Sequence, residues 1–305
     1  MHPLPPLPRS SGDILADRRA DYAEMLFASG EHAAAAELML SAMELAPGWV
    51  LGWFRLGEFH EVAEETAAAE KAWRTALALD PADRPGAALK LALIGADAAP
   101  AAPPSAFVEG LFDEYADRFD ASLTGALGYR APELLDRAIR RVAPGRNFPL
   151  ALDLGCGTGL MGERLRPLVA RLEGQDISAA MLRKARARGV YDQLDKSDLQ
   201  VLALPPASVD LVTAADVFMY VGALDRIFAT VAEGLAAGGL FAFSVEEMEA
   251  DAGFRLRETR RYAHSEAYVL ATLAAAGLTP VSVERDTIRR DRNEPVTGLI
   301  VIATR

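Results

Sequence analysis

Residues 151–159 read Ala-Leu-Asp-Leu-Gly-Cys-Gly-Thr-Gly, and their reading decides the fold. The apolar run from Phe148 to Leu154 has the length and composition of a buried strand. Gly155, Gly157 and Gly159 follow at alternate positions, and a helical pattern starts near Leu160. Strand, glycine turn and helix in that order make a nucleotide-type binding loop, because glycine reaches positive φ and lets the backbone approach a ligand closely. The dinucleotide fingerprint needs its third glycine at position 160, which is Leu160, so a nicotinamide oxidoreductase is disfavoured. Without a ligand the same residues would make only a tight strand-to-helix turn.

The chain beyond the loop strengthens the ligand reading. The helix from Leu160 stops around Pro167, and a second strand ends at Asp176, 17 residues after Gly159. A carboxylate at the tip of the second strand is the expected partner of two ribose hydroxyls. Ser178 is the N-cap of a helix running to Arg188, where Arg183, Lys184, Arg186 and Arg188 suit the helix dipole and Gly189 ends it. A short third strand is expected at Leu199 to Leu204, after Asp198, with Asp192 and Asp195 as competing acids. A fourth strand, Ser208 to Ala215, leads to Asp216, Met219 and Tyr220. A crossover helix from about Leu224 to Ala236 stops at Gly238-Gly239, and the fifth strand is Leu240 to Val245. Ligands in open α/β sheets sit beyond the carboxyl ends of the strands, and Asp153, Asp176, Asp198, Asp216 and Glu246 all fall at or near such ends.

Residues 246–262 carry Arg255, Arg257, Arg260 and Arg261, and read as a substrate-facing insertion or a solvated arm. Ser265 caps a helix to Ala276. Thr279 to Arg285 and Thr297 to Thr304 alternate as an antiparallel hairpin, with Arg289, Arg290 and Arg292 in its loop.

The first third of the chain is organised differently. Residues 1–12 are proline-rich and read as a disordered tail. Residues 13–98 read as helix after helix. Ala35, Met39, Ala42 and Pro47 recur 34 residues later as Ala69, Trp73, Ala76 and Pro81, and Trp53, Leu56 and Gly57 supply a W-x-x-L-G pattern. This resembles the 34-residue helix-turn-helix of the tetratricopeptide (TPR) repeat, with Arg19 and Ala23 at the tryptophan and glycine positions of a degraded first copy. A helix between Gly86 and Ile94 would cap the stack. The resemblance implies partner binding or self-association; the alternative is packing on the second domain. Residues 99–106 are an Ala/Pro linker. After it Phe107, Leu111, Phe112, Tyr115, Phe119 and Leu123 share one helical face, either packed on the sheet or closing over a ligand, and Pro132 opens the next helix.

Composition bounds the function. The chain has 305 residues and a formal net charge of −11, which makes nucleic acid an unfavoured partner because phosphate contacts supply most non-specific affinity. The one cysteine, Cys156, allows no intramolecular disulfide and reads as a small packing residue. No apolar run has transmembrane length, no signal-peptide pattern opens the chain, and a cytoplasmic location is expected.

The D-x-G-x-G-x-G of Asp153 to Gly159 resembles the first motif of class I S-adenosylmethionine (SAM)-dependent methyltransferases. Phe112 to Asp120 resembles the segment that covers the cofactor in several of those families. The order of elements over residues 107–305 resembles their mostly parallel, seven-stranded Rossmann-like fold with a C-terminal antiparallel hairpin. With the repeats in front, nearly the whole chain resembles TPR-containing predicted SAM-dependent methyltransferases. The resemblance implies a two-domain, α plus α/β protein that transfers a methyl group to an unknown acceptor, releases S-adenosylhomocysteine and needs no metal. Carried over by position, Asp153, Gly155, Cys156, Gly157 and Gly159 shape the methionine end, and Asp176 holds the ribose. Ile177 and Met181 pack on the adenine, with Asp198 and Leu199 at its amino edge. Ala215, Asp216 and Tyr220 line the transfer site, under Tyr115 and Phe119. Asp216-Val-Phe-Met219 replaces the N-P-P-Y or D-P-P-Y of base amino-methyltransferases, which argues against that substrate class. His264, Tyr220, Tyr262 and Glu246 are the candidate bases, with His264 reading more readily as a surface histidine than as a base. A cofactor-sensing or scaffolding protein without turnover is the rival function.

Overall fold

A computed structural model describes residues 6–117, 128–249, 253–291 and 294–305. Phe119 and Leu123, expected on a helical face that packs on the sheet or closes over a ligand, Arg292 and the start of the proline-rich tail lie outside the described residues. The chain divides into two compact units, Met1–Phe107 and Val108–Arg305.

The first unit contains α1 (Ile14–Ala28), α2 (His32–Leu45), α3 (Val50–Val62), α4 (Thr66–Leu79) and α5 (Ala87–Leu93). Asp13 caps α1 through the amides of Leu15 and Ala16. Alanines line the seams: Ala16, Ala20, Ala23, Ala35 and Ala42 are buried in one cluster with Met39 and Phe59. In the second hairpin the contact is larger. Trp73 is fully buried and donates its indole N–H to Phe54 O, 3.1 Å away. Gly57 makes room for it, since a Cβ there would lie 2.3 Å from the indole nitrogen. In the first hairpin Ala23 and Met39 stand at the equivalent positions, so a smaller knob meets a larger hole wall. Gly57→Ala is therefore expected to destabilise this unit by about 1–3 kcal/mol through overpacking, read as a lower thermal midpoint of helical circular dichroism. An unchanged midpoint would refute the packing account.

The second unit begins within α6 (Ser105–Tyr115), continues to α7 (Ala131–Val142), and then winds a sheet. Its strands are β1 (Phe148–Leu154), β2 (Val169–Asp176), β3 (Gln193–Lys196), β4 (Val209–Ala214), β5 (Leu235–Glu246), β8 (Thr279–Asp291) and β9 (Glu294–Thr304), in the order β3-β2-β1-β4-β5-β9-β8. The first five are parallel, and β9 runs antiparallel to both β5 and β8. The crossovers include α8 (Leu160–Leu165), α9 (Ala179–Arg188), α10 (Asp225–Gly234) and α11 (Glu266–Ala275). Alternation along the central strands feeds two cores. Leu152, Leu154, Val212, Phe241 and Phe243 pack with Phe228 of α10 and Leu273 of α11 on one face. Ala151, Leu211, Ala242 and Ile300 pack with Leu135 of α7 and Met161 of α8 on the other. Strand order reverses at β1 and β4, which places the topological switch directly beyond Leu154.

Three expectations are corrected. The third strand is Gln193–Lys196, while Leu199–Val201 is a 3₁₀ turn. An edge strand needs few apolar residues, so the hydrophobic run that follows misdirected the assignment. Asp198 caps that turn by accepting from Gln200 N, 2.9 Å away. Gly238 and Gly239 lie inside β5 rather than closing the crossover helix, which ends at Gly234. The hairpin strands are longer than expected, so Arg289 and Arg290 belong to β8 and not to its loop. Within the stretch expected as a substrate-facing insertion or a solvated arm, β6 (Phe254–Leu256) pairs with β7 (Tyr262–His264) as a small antiparallel ribbon.

Candidate functional site

The glycine loop emerges from β1 in the backbone conformation its sequence calls for. Gly155, Gly157 and Gly159 have φ of +60°, +54° and +98°, the left-handed region that favours glycine. Gly155 is also crowded, since a Cβ would lie 2.6 Å from Val217. Cys156 sits buried between them, packed with Leu182 and Ala185. Burial, then the charges of Asp153 and Asp176, push its thiol well above the ordinary range, which suits a packing role.

Two carboxylates flank this loop. Asp176, at the tip of β2, accepts Gly157 N at 2.9 Å and Ser178 N at 2.8 Å, tying the loop to the start of α9. Ser178 caps α9 through Met181 N, as its position predicts. Asp153, at the end of β1, accepts the Thr213 hydroxyl and the Tyr191 hydroxyl, each at 2.7 Å. Both acids are buried, and among the described residues neither forms an ion pair. Burial raises each carboxyl to about 6; hydrogen bonds oppose that shift, and a neighbouring carboxylate, Asp176 for Asp153 and Asp113 for Asp176, adds to it.

Helix α6 reaches the same edge. Asp113 accepts the Ser178 hydroxyl at 2.6 Å and Ala180 N at 3.1 Å, Lys196 at the end of β3 pairs with Glu109, and Phe112 meets Tyr220 edge-on at 5.1 Å. Met181 is fully buried with Ala180 and Ala116, against Phe112. Ile177 is half-buried, Tyr115 is the last residue of α6, and Asp198 and Leu199 form the turn beyond β3. Asp192 and Asp195 are otherwise engaged: Asp192 accepts Leu172 N and pairs with Arg166, and Asp195 accepts from Gln193.

Beyond β4 a second cluster forms. Ala215 O accepts the Tyr129 hydroxyl, and Asp216 takes a left-handed φ of +57° while its amide donates to the Ser244 hydroxyl. Arg289 reaches across from β8, donating to Asp216 Oδ1 at 2.6 Å and to Glu246 Oε1. All three side chains are buried. Sequence reasoning placed Arg289 in a loop and missed this role.

The candidate bases are corrected accordingly. Glu246 is held by Arg289 and is no free base. His264 is fully buried, not on the surface; its Nε2 lies 2.9 Å from Gly222 O, and burial lowers it to about 4. Tyr262 is buried in the ribbon, and burial raises its phenol. Tyr220 lies by the loop after β4, hydrogen-bonded with Arg261, and burial raises it too. The pH signs differ. A histidine lowered to about 4 loses stability as pH falls through 6.5, whereas the raised carboxyls of Asp153 and Asp176 lose stability as pH rises from 3.8 to about 6, so the effects oppose in that window.

Part of the chain resembles known proteins. Residues 152–243 match the family model described as methyltransferase domain. The chain is 38% identical over 96 residues to methyltransferase-like protein 27 of Homo sapiens, covering 31% of this chain and 39% of that protein. It is 33% identical over 152 residues to a malonyl-[acyl-carrier protein] O-methyltransferase of Geobacter sulfurreducens, covering 43% of this chain and 56% of that one. The chain thus spans between about two fifths and just over half the length of these relatives. Among solved structures it resembles the Burkholderia thailandensis 1,6-didemethyltoxoflavin-N1-methyltransferase with bound 1,6-didemethyltoxoflavin and S-adenosylhomocysteine, with TM-score 0.53, 18% identity, and coverage of 68% of this chain and 93% of that one. Residues 152–243 therefore match a methyltransferase domain, and the seven-stranded sheet that contains them has the Rossmann-like class I fold.

Proposed function

We propose that the second unit binds SAM and transfers its methyl group to a small-molecule or protein acceptor. The observation that carries this reading is the pair of buried carboxylates, Asp153 and Asp176, flanking a left-handed glycine loop with neutral donors as their partners. Burying charge without a counter-ion is costly, so such a pair suits a ligand that brings positive charge and hydroxyl donors. A nucleoside with a cationic methionine end supplies both. Asp176 would accept from the ribose, Ile177 and Met181 would flank the adenine with Asp198 and Leu199 at its edge, and the loop from Gly155 to Gly159 would hold the methionine end. Tyr115 would border this site, while Ala215, Asp216 and Tyr220 would line the acceptor side.

When bound, SAM supplies a methyl group already activated on a sulfonium, ready for in-line displacement. The residues of this chain orient the reactants and exclude water. Glu246 is paired, His264 is buried on a backbone carbonyl, and Tyr220 and Tyr262 hold their protons more tightly than usual. This set favours an acceptor that is nucleophilic without deprotonation, and a carboxylate meets that condition. The test is release of S-adenosylhomocysteine when the protein is offered SAM with short dicarboxylic acids and with acyl-carrier thioesters. Turnover above the acceptor-free rate supports transfer. Tight SAM binding without turnover on these and on amine, phenol and thiol acceptors favours the second reading, a cofactor-binding scaffold, which the engaged state of the candidate bases also supports. The helical unit would serve either reading as a TPR-like surface for a protein partner or a second copy.

The carboxylates also give binding a pH dependence. Asp153 would be charged to meet the cation and Asp176 to accept the ribose hydroxyls, so the Kd for SAM is expected to rise below about pH 6, by up to roughly tenfold per pH unit for each linked proton. Calorimetry at pH 5.0, 6.0 and 7.5 in buffers of different ionisation enthalpy would show proton release near the midpoint; a flat profile would contradict the assignment.

A further inference from the structure

Two glycines near the site have no backbone reason to be glycine. Gly162 lies inside α8 and Gly174 inside β2, neither with positive φ, and glycine weakens the interior of either element. Both face one aromatic ring. A Cβ at Gly162 would lie 2.3 Å from Tyr191 Cζ, and one at Gly174 would lie 2.9 Å from Cε1, with Leu194 Cδ2 at 2.8 Å. Gly159 of the binding loop faces it as well, its Cβ position lying 3.1 Å from Cε2. The ring thus occupies a hollow bounded by the loop, α8 and β2, and its hydroxyl donates to Asp153 Oδ2 at 2.7 Å. The next residue locks it there: Asp192 N donates to Leu172 O at 2.8 Å, and Asp192 Oδ2 accepts Leu172 N at 2.7 Å.

We propose that Tyr191 is the positioning residue of the cofactor site, its ring setting the seat of the glycine loop and its hydroxyl holding the Asp153 carboxylate toward a cationic ligand. This rests on the SAM-binding reading above. A neutral donor suits the task. Together with the Thr213 hydroxyl it stabilises the carboxylate in a buried place without a resident positive charge that would compete with the ligand. Among the described residues, Asp153 interacts with Asp176, Cys156, Tyr129 and Tyr191, none of which is a cation. An arginine in place of Tyr191 would satisfy Asp153 and empty the site of its charge.

Two experiments test the proposal, one through the ligand and one without it. In the first, Tyr191→Phe keeps the ring and removes the donor. Its SAM affinity is expected to fall about tenfold at pH 7.5, with the pH midpoint of binding shifted upward, since Asp153 loses a bond to its charged form. A variant that binds as tightly as the wild type with an unmoved midpoint overturns the proposal. In the second, Gly162→Ala is made in the wild-type and Tyr191→Ala backgrounds. It is expected to lower the midpoint of thermal unfolding by roughly 4–8 °C beside Tyr191 and to be neutral or favourable without it. Equal cost in both backgrounds overturns the seat of the loop. Because this cycle reads unfolding alone, a wild-type protein that does not bind SAM would count against the cofactor reading and leave the test of the ring intact.

Discussion

Asp176→Ala is expected to weaken SAM binding at least a hundredfold while leaving the protein folded. The carboxylate does two things that alanine cannot. It holds Gly157 N and Ser178 N, so the loop and the start of α9 share one anchor, and on the proposed SAM-binding reading it would accept two ribose hydroxyls. Hydrogen bonds to a charged acceptor contribute about 1.5–3 kcal/mol each, so losing two corresponds to roughly a hundredfold or more in Kd. The fold survives because the substitution also removes a buried charge that has no counter-ion. Asp176→Asn, which keeps one acceptor and loses the charge, is expected to fall between the two. Calorimetric titration at pH 7.5 decides it, and an alanine variant within threefold of the wild type would remove Asp176 from the site.

The second large effect concerns stability. Arg289→Ala leaves Asp216 and Glu246 buried with their shared cation gone. Breaking a buried ion pair from one side costs about 3–5 kcal/mol, which for a unit of this size lowers the unfolding midpoint by roughly 10 °C. The strain at Asp216, held at φ +57° without being glycine, loses one of its restraints in the same step. Arg289→Lys is expected to recover part of the loss, because a single ammonium cannot fork to both acids. Denaturant unfolding measures both variants, and a cost below about 1 kcal/mol for the alanine variant would contradict the clamp.

These two residues mark what the sequence makes legible and what it hides. Asp176 is visible because its signal is local: a strand pattern, its end, and a fixed distance from the glycine loop. The loop, the alternating terminal hairpin and the cap at Ser178 are legible for the same reason. Arg289 is not. It stands in Arg285-Asp-Thr-Ile-Arg-Arg-Asp291, a charged run that reads as solvated, and its partners lie 73 and 43 residues away. Apolar periodicity reports which faces are buried and carries no signal for a buried charge satisfied at long range. His264 was misread on the same ground: no local pattern distinguishes a surface histidine from one held on Gly222 O. The third strand was displaced because an edge strand of Gln-Leu-Asp-Lys lacks the apolar run that marks the inner ones. Tyr191 did leave a trace, in glycines inside a helix and a strand that neither element wants, and asking what each glycine makes room for would have pointed toward a large neighbour.

The central claim is that the carboxyl edge formed by β1, β2 and β4 binds SAM. Calorimetric titration of the whole 305-residue chain with SAM and with S-adenosylhomocysteine at pH 7.5 tests it most directly. The account predicts one site per chain with a Kd on the order of micromolar for both ligands. A folded protein, verified by circular dichroism, that takes up neither ligand at millimolar concentration would contradict it.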